Sequence, residues 1–123
     1  MRISLQYLFL LFSMLILFAC SDRKKADEQR IRIIKGLYVL GPELRSFTNC
    51  TDGAEYWVAD SSKTLELAYS SLNFEKPYEP VYVELRCRIV ASDTTSVADF
   101  DSTLVVQKVL KIDRNIPPGI CSQ

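Results

Sequence analysis

The chain has 123 residues, 48% of them hydrophobic, and fifteen Lys plus Arg balance fifteen Asp plus Glu. That length fits one small domain, and zero net charge argues against a nucleic-acid binder driven by electrostatics. Histidine is absent, which excludes Ser-His-Asp and Cys-His catalysis, His-containing zinc sites and the usual neutral-pH proton shuttle. The expectation is a non-enzymatic protein with no cofactor and no metal.

The first segment holds a large share of the hydrophobicity. Arg2 precedes an apolar run from about Ile3 to Phe18, and Ser21, Asp22, Arg23, Lys24 and Lys25 end it. A bilayer core needs ~20 apolar residues, so this run stops short of a spanning helix and has the charge and length of a secretory leader. Leu17-Phe18-Ala19-Cys20 resembles the bacterial lipobox, with Phe18 bulkier than the usual occupant. Residues 1–19 are therefore expected to be a signal peptide, and Cys20 the lipidation site and membrane anchor. Two or three acyl chains would hold more firmly than the single chain that binds reversibly. By analogy with enterobacterial sorting, Ser21 favours the outer membrane, periplasmic face. The competing reading is an uncleaved anchor helix in which Cys20 is an incidental thiol.

Residues 20–35 are expected to form a charged tether. From Ser21 to Lys35 the basic residues are Arg23, Lys24, Lys25, Arg30, Arg32 and Lys35, the acidic ones Asp22, Asp27 and Glu28, and large apolar side chains are few.

Residues 36–123 change to short β-rich segments divided by turn signals. Gly36 to Leu40 reads as a first strand, broken by Gly41-Pro42, and Leu44 to Cys50 as a second strand of uncertain facing. Asp52-Gly53 suits a tight turn because it tolerates positive φ, and Glu55 to Ala59 follows as a third strand with the only tryptophan, Trp57. Between Asp60 and Phe74, Leu65, Ala68 or Tyr69, and Leu72 recur at helical spacing. The spacing predicts a helix of about three turns, capped by Asp60, Ser61 or Ser62; Pro77 and Pro80 cannot continue it.

Val81 to Val90 is the clearest strand. Val81, Val83, Leu85, Cys87 and Ile89 alternate with Tyr82, Glu84, Arg86 and Arg88, which points Cys87 into the core. Ala91 to Ser102 reads as a hairpin loop and Thr103 to Ile112 as a fifth strand, apolar on both faces near Leu104-Val105-Val106. Five strands with one helix between the third and fourth is the order of an OB-fold, a small, partly open Greek-key barrel, and the fold class is mainly β.

The aromatics Tyr38, Phe47, Tyr56, Trp57, Tyr69, Tyr78 and Tyr82 could in principle stack single-stranded nucleic acid, but they are better explained as core and sheet surface, and no nucleic-acid partner is expected. Asp99 and Asp101 lie close in sequence with no further ligands to build a metal shell around them.

Gly36-Leu37-Tyr38, Ser46-Phe47-Thr48-Asn49-Cys50-Thr51, Tyr56-Trp57-Val58-Ala59, Leu65-Glu66-Leu67-Ala68-Tyr69, Glu79-Pro80-Val81-Tyr82-Val83-Glu84-Leu85 and Cys121-Ser122, in that order and spacing, resemble the C-terminal OB domain of the envelope lipoprotein NlpE (CutF) family. Two departures matter. The Cys-x-x-Cys motif of the family's N-terminal lipocalin-like domain is missing here, so no copper role and no sensor-kinase contact attributed to that domain is carried over. Cys87 stands where the family strand tends to have glycine.

With Cys20 lipidated, Cys50, Cys87 and Cys121 allow three pairings with one thiol left over. The resemblance implies a Cys50–Cys121 disulfide, with Cys87 a free buried thiol behaving as a small hydrophobe. That bond reads as a staple, or as a reporter of periplasmic disulfide formation, as proposed for the resembled family. The function expected is a membrane-anchored periplasmic lipoprotein, a partner-binding or envelope-stress/redox-sensing module engaging an unknown envelope protein, with a sensor as one candidate. The alternative is a small inhibitor or ligand-binding lipoprotein that captures a periplasmic protein, glycan or small molecule.

Overall fold

The computed structural model describes residues 4–92, 100–119 and 121, and for residues 15–24 it describes the backbone alone. Helix α1 spans Ser4–Gln29, followed by β1 (Arg32–Leu40), β2 (Arg45–Asn49), β3 (Glu55–Ala59), α2 (Thr64–Ser70), β4 (Val81–Ala91) and β5 (Ser102–Asp113). The strands close a barrel in the order β1-β2-β3-β5-β4. Every neighbouring pair is antiparallel except β3 and β5, whose three parallel pairs, Trp57↔Thr103, Val58↔Leu104 and Ala59↔Val105, complete the closure. Chain reversal between β3 and β5 is supplied by α2 and β4, as a parallel pair requires. The expected five-stranded architecture, with its single helix between the third and fourth strands, is present, and the barrel is closed rather than partly open.

The core follows the period-two pattern of β4. Val81, Val83, Leu85 and Cys87 are fully buried with Tyr38, Phe47, Val58, Leu65 and Leu104, and Ile34, Tyr56, Leu72, Phe74, Val109 and Ile112 pack around them. Phe47 settles the facing of β2, because it is the one residue of that strand wholly inside. Tyr38 and Tyr69 meet edge to face at 5.7 Å, and Tyr69 meets Phe74 at 5.3 Å, geometries that add to area burial.

The element boundaries differ from the sequence reading in three ways. First, β1 begins at Arg32, so residues 32–35 of the stretch expected as tether are barrel strand, paired with β4 from Arg32↔Cys87 to Lys35↔Glu84. Upstream of them the backbone is helical to Gln29, and the α1 terminus is tied to the strand by Asp27 and Arg32, 2.7 Å apart. Their polarity hid them: Arg32 and Lys35 are satisfied through backbone ladders to a distant strand, which local hydrophobicity does not reveal.

Second, α2 is seven residues long rather than about three turns. Lys63 in the left-handed region and the turn bond from Lys63 N–H to the Asp60 carbonyl start it late, and turns at Leu72 and Asn73 end it early. The helical period persists because Leu72 and Phe74 still pack on the barrel from those turns. Third, strand ends shift by one residue: β5 extends at each end to Ser102–Asp113, β4 runs on to Ala91, and β2 is shorter at each end, Arg45–Asn49 rather than Leu44 to Cys50.

Ser61 and Ser62 make no cap; the N-cap position is Lys63, without a side-chain bond. Asp60 acts from outside the helix instead, its Oδ2 accepting the Glu66 N–H at 2.9 Å. Asp60 is buried with Oδ1 unpartnered, as is the Tyr38 hydroxyl. Burial, then the Asp60 carboxylate, holds the Tyr38 phenol well above its ordinary pKa. Replacing Asp60 by alanine is expected to cost about 1 kcal/mol in urea unfolding through loss of this helix-start acceptor, and Asp60→Asn less, since an amide oxygen still accepts.

Cys20 lies within α1, where its side chain is outside the described residues, and residues 93–99 of the expected hairpin loop, Asp99 among them, lie outside as well. Among the described residues, no helix is long and apolar enough to cross a membrane.

Candidate functional site

The β2–β3 turn is built by side chains that substitute for backbone. Asn49 Oδ1 accepts the Thr51 N–H and Asp52 Oδ1 accepts the Ala54 N–H, each at 2.9 Å, as Asx turns do. Gly53 takes φ +74° at the tip, and the Asn49 N–H to Ala54 carbonyl bond closes the turn at 2.8 Å. Cys50 stands at the start of this turn. Its N–H donates to the Lys35 carbonyl at 3.1 Å, so its backbone is an extension of the β1–β2 ladder.

The tail arrives from the other side. After β5, Asp113 Oδ1 accepts the Asn115 N–H, Pro117 and Pro118 block regular pairing, and Gly119 at φ +109° makes the bend. Cys121 then forms a disulfide with Cys50, spanning a sequence separation of 71 with the Cα atoms 4.8 Å apart. Two clefts flank the bond. One, about 350 Å³, lies against the turn between Leu37, Asn49 and Asp52. The other, about 190 Å³, is bounded by Lys35, Tyr82, Pro117 and Pro118, which lays the tail across the outer face of β1 and β4. That explains why Tyr82, on the face opposite the core residues Val81 and Val83, is nevertheless buried. Both cysteines remain half-exposed, so a thiol reagent can approach the sulfurs.

Cys87 is the contrast. It is fully buried in β4 between Arg32 of β1 and Val106 of β5. Burial pushes its thiol up to about 11, against a smaller opposing pull from Arg32. Thiolate is the attacking species in exchange, so Cys87 is inert toward the Cys50–Cys121 bond. It also sits three residues along β1 from Lys35, where Cys50 bonds, and at ~3.3 Å per residue that is about 10 Å. Peptide mapping after maleimide treatment at pH 8 is expected to find Cys87 unmodified in the native chain and modified once the chain is unfolded.

The other signals do not assemble. The aromatic residues are dispersed: Tyr38 and Phe47 are interior, Tyr69 donates its hydroxyl to the Glu79 carbonyl at 2.7 Å, and Trp57 meets Phe100 in a tilted contact at 6.0 Å. Among the described residues, no group of three or more Cys, Asp or Glu side chains could hold a metal ion; Asp101 is exposed beside the hairpin. The clefts at the disulfide were not foreseeable from sequence, because their walls come from β1, the β2–β3 turn, β4 and the tail.

The sequence profile of the NlpE C-terminal OB domain matches residues 29–117, which takes in β1 from its first residue. Among solved structures, the chain is similar to the crystal structure of the Cpx pathway activator NlpE from Escherichia coli, with a TM-score of 0.57 and 18% identity. The similarity covers 72% of this chain and 43% of that one, so the chain spans under half of that relative's length. No curated protein matches it.

Proposed function

This chain belongs to the NlpE C-terminal OB domain family, and from that membership we propose that it is a non-enzymatic, lipid-anchored envelope module that engages a periplasmic partner in envelope-stress signalling. The observation that carries the reading is the Cys50–Cys121 bond. It joins the tail to the barrel at an accessible edge, so oxidation state and the tail's position are one variable. Cys20 is the proposed anchor, the outer membrane the proposed location, and the periplasmic face the proposed side.

The test overproduces the full chain in a bacterium that carries an envelope-stress reporter. The reporter is expected to rise with the unaltered chain and to rise further with Cys50→Ser/Cys121→Ser at equal abundance. A reporter that stays flat with both chains overturns the signalling role.

A further inference from the structure

The outer face of the β1, β4 and β5 side is charged unlike the nearly neutral chain around it. Register aligns Ile33, Arg86 and Lys108 in one row across the three strands, with Arg88 opposite Val105 in the next row. Lys35, Glu84 and Lys111 form the row on the other side. Arg86 and Arg88 alternate with the buried Leu85 and Cys87, and the register irregularity between Arg86 and Cys87 brings Lys108 opposite Arg86; Arg86 and Lys108 are exposed, while Arg88 is half-buried with its Nε enclosed and α1 packs against β4. Facing carboxylates are few: Glu84 is held by Lys35 at 3.3 Å, and Asp113 accepts its own turn's N–H. Asp27 of α1 is engaged by Arg32, with Glu28 beside it. Among the described residues, no carboxylate stands in the rows of Arg86, Lys108 and Arg88.

Beside these cations two large apolar side chains lie open, Ile31 at 57% and Ile33 at 58% exposure. Together they make an apolar strip edged by positive charge. They also occupy one particular end of the face. The tail covers the Tyr82 end, whereas Ile31 and Ile33 lie at the end where the chain arrives from α1, the side of the proposed Cys20 anchor.

We propose that this end of the β1-β4-β5 face docks on an anionic lipid surface, with Ile31 and Ile33 in the headgroup boundary and Arg86, Arg88 and Lys108 against lipid phosphates. The charge pattern selects the partner. A surface of fixed negative charge attracts the basic rows, and a headgroup boundary takes up apolar side chains that water would otherwise hydrate. The docking rests on the anchoring reading in one respect: attachment upstream of Ile31 raises the effective concentration of the face at the bilayer, so contacts weak on their own become occupied.

The experiment uses the full chain isolated from membranes, carrying Ile33→Trp in a Trp57→Phe background so that one indole reports. It is reconstituted into vesicles with brominated acyl chains, made either of phosphatidylcholine alone or with added phosphatidylglycerol. Quenching of the indole is expected to be about threefold greater in the anionic vesicles, and Arg86→Glu with Lys108→Glu is expected to erase that difference. Near-ultraviolet circular dichroism verifies that the charge-reversed chain is folded. Equal quenching in both vesicles, or a difference that survives charge reversal, overturns the docking. A chain that floats with vesicles yet leaves the indole unquenched overturns the docking while the anchoring stands; one that floats with neither overturns both.

Discussion

Reducing the Cys50–Cys121 bond, or replacing both cysteines by serine, is expected to lower the unfolding free energy by about 4 kcal/mol, the loop-closure entropy of a cross-link enclosing roughly 70 residues. For a barrel this small that is comparable to its whole margin of stability. The structure says where the loss falls first. Among the described residues, the tail after Asp113 has two prolines and joins no strand, and it meets the rest of the fold at the Arg114 guanidinium over the Phe74 ring, 4.6 Å away, at the cleft shared with Lys35 and Tyr82, and at the disulfide. Release should therefore expose Tyr82 before the core opens. Guanidinium unfolding with and without reductant measures the stability change, and hydrogen exchange measures the order of events. Protection at Tyr82 and Lys35 is expected to fall in conditions where Phe47 and Leu85 remain protected. A midpoint that does not move on reduction would show that the bond is incidental to the fold, and would remove the observation on which the signalling role rests.

Legibility in the sequence followed the range of the interactions. The alternation from Val81 to Ile89 is local, and it placed Cys87 in the core. Asp52-Gly53 is local too, and the turn forms there with Gly53 at positive φ. The start of β1 was hidden because Arg32 to Lys35 are ordered by pairing with Cys87 to Glu84, some fifty residues downstream. The length of α2 was overestimated because Leu72 and Phe74 keep a helical spacing while reaching the core from turns. On cysteine count alone three pairings were open, two of them involving Cys50. Topology decides it: the Lys35 carbonyl fixes Cys50 at the barrel edge that the tail reaches, while Cys87 stays inside. The cationic face could not be read at all, since Ile33, Arg86 and Lys108 meet only through the register of three strands and the two irregularities in the β4–β5 pairing.

Gly36→Ala is expected to destabilise the barrel by about 3 kcal/mol, at the upper end of overpacking costs, because the obstruction is backbone. Gly36 is buried in β1, opposite Asn49 of β2 and Val83 of β4. A Cβ there would overlap the Thr48 carbonyl oxygen and the edge of the Phe47 ring. The ring can turn; the carbonyl belongs to the β1–β2 ladder and moves only if the strands part. Adding Phe47→Leu to Gly36→Ala should thus recover less than half of the loss, which a double-mutant cycle in urea would read. Strand separation at this point also displaces Cys50, since its N–H is bonded to Lys35, the neighbour of Gly36. The same substitution should slow Cys50–Cys121 formation on air oxidation of the refolding chain, measured as thiols remaining at Cys50. Gly53→Ala serves as the control. It meets open space and carries only the cost of its positive φ, about 1 kcal/mol, without the delay in oxidation. If Gly36→Ala instead stays within about 0.5 kcal/mol of the unaltered chain, as an ordinary surface change would, β1 and β2 are not packed as closely as the structure has them, and the positioning of Cys50 must come from the tail.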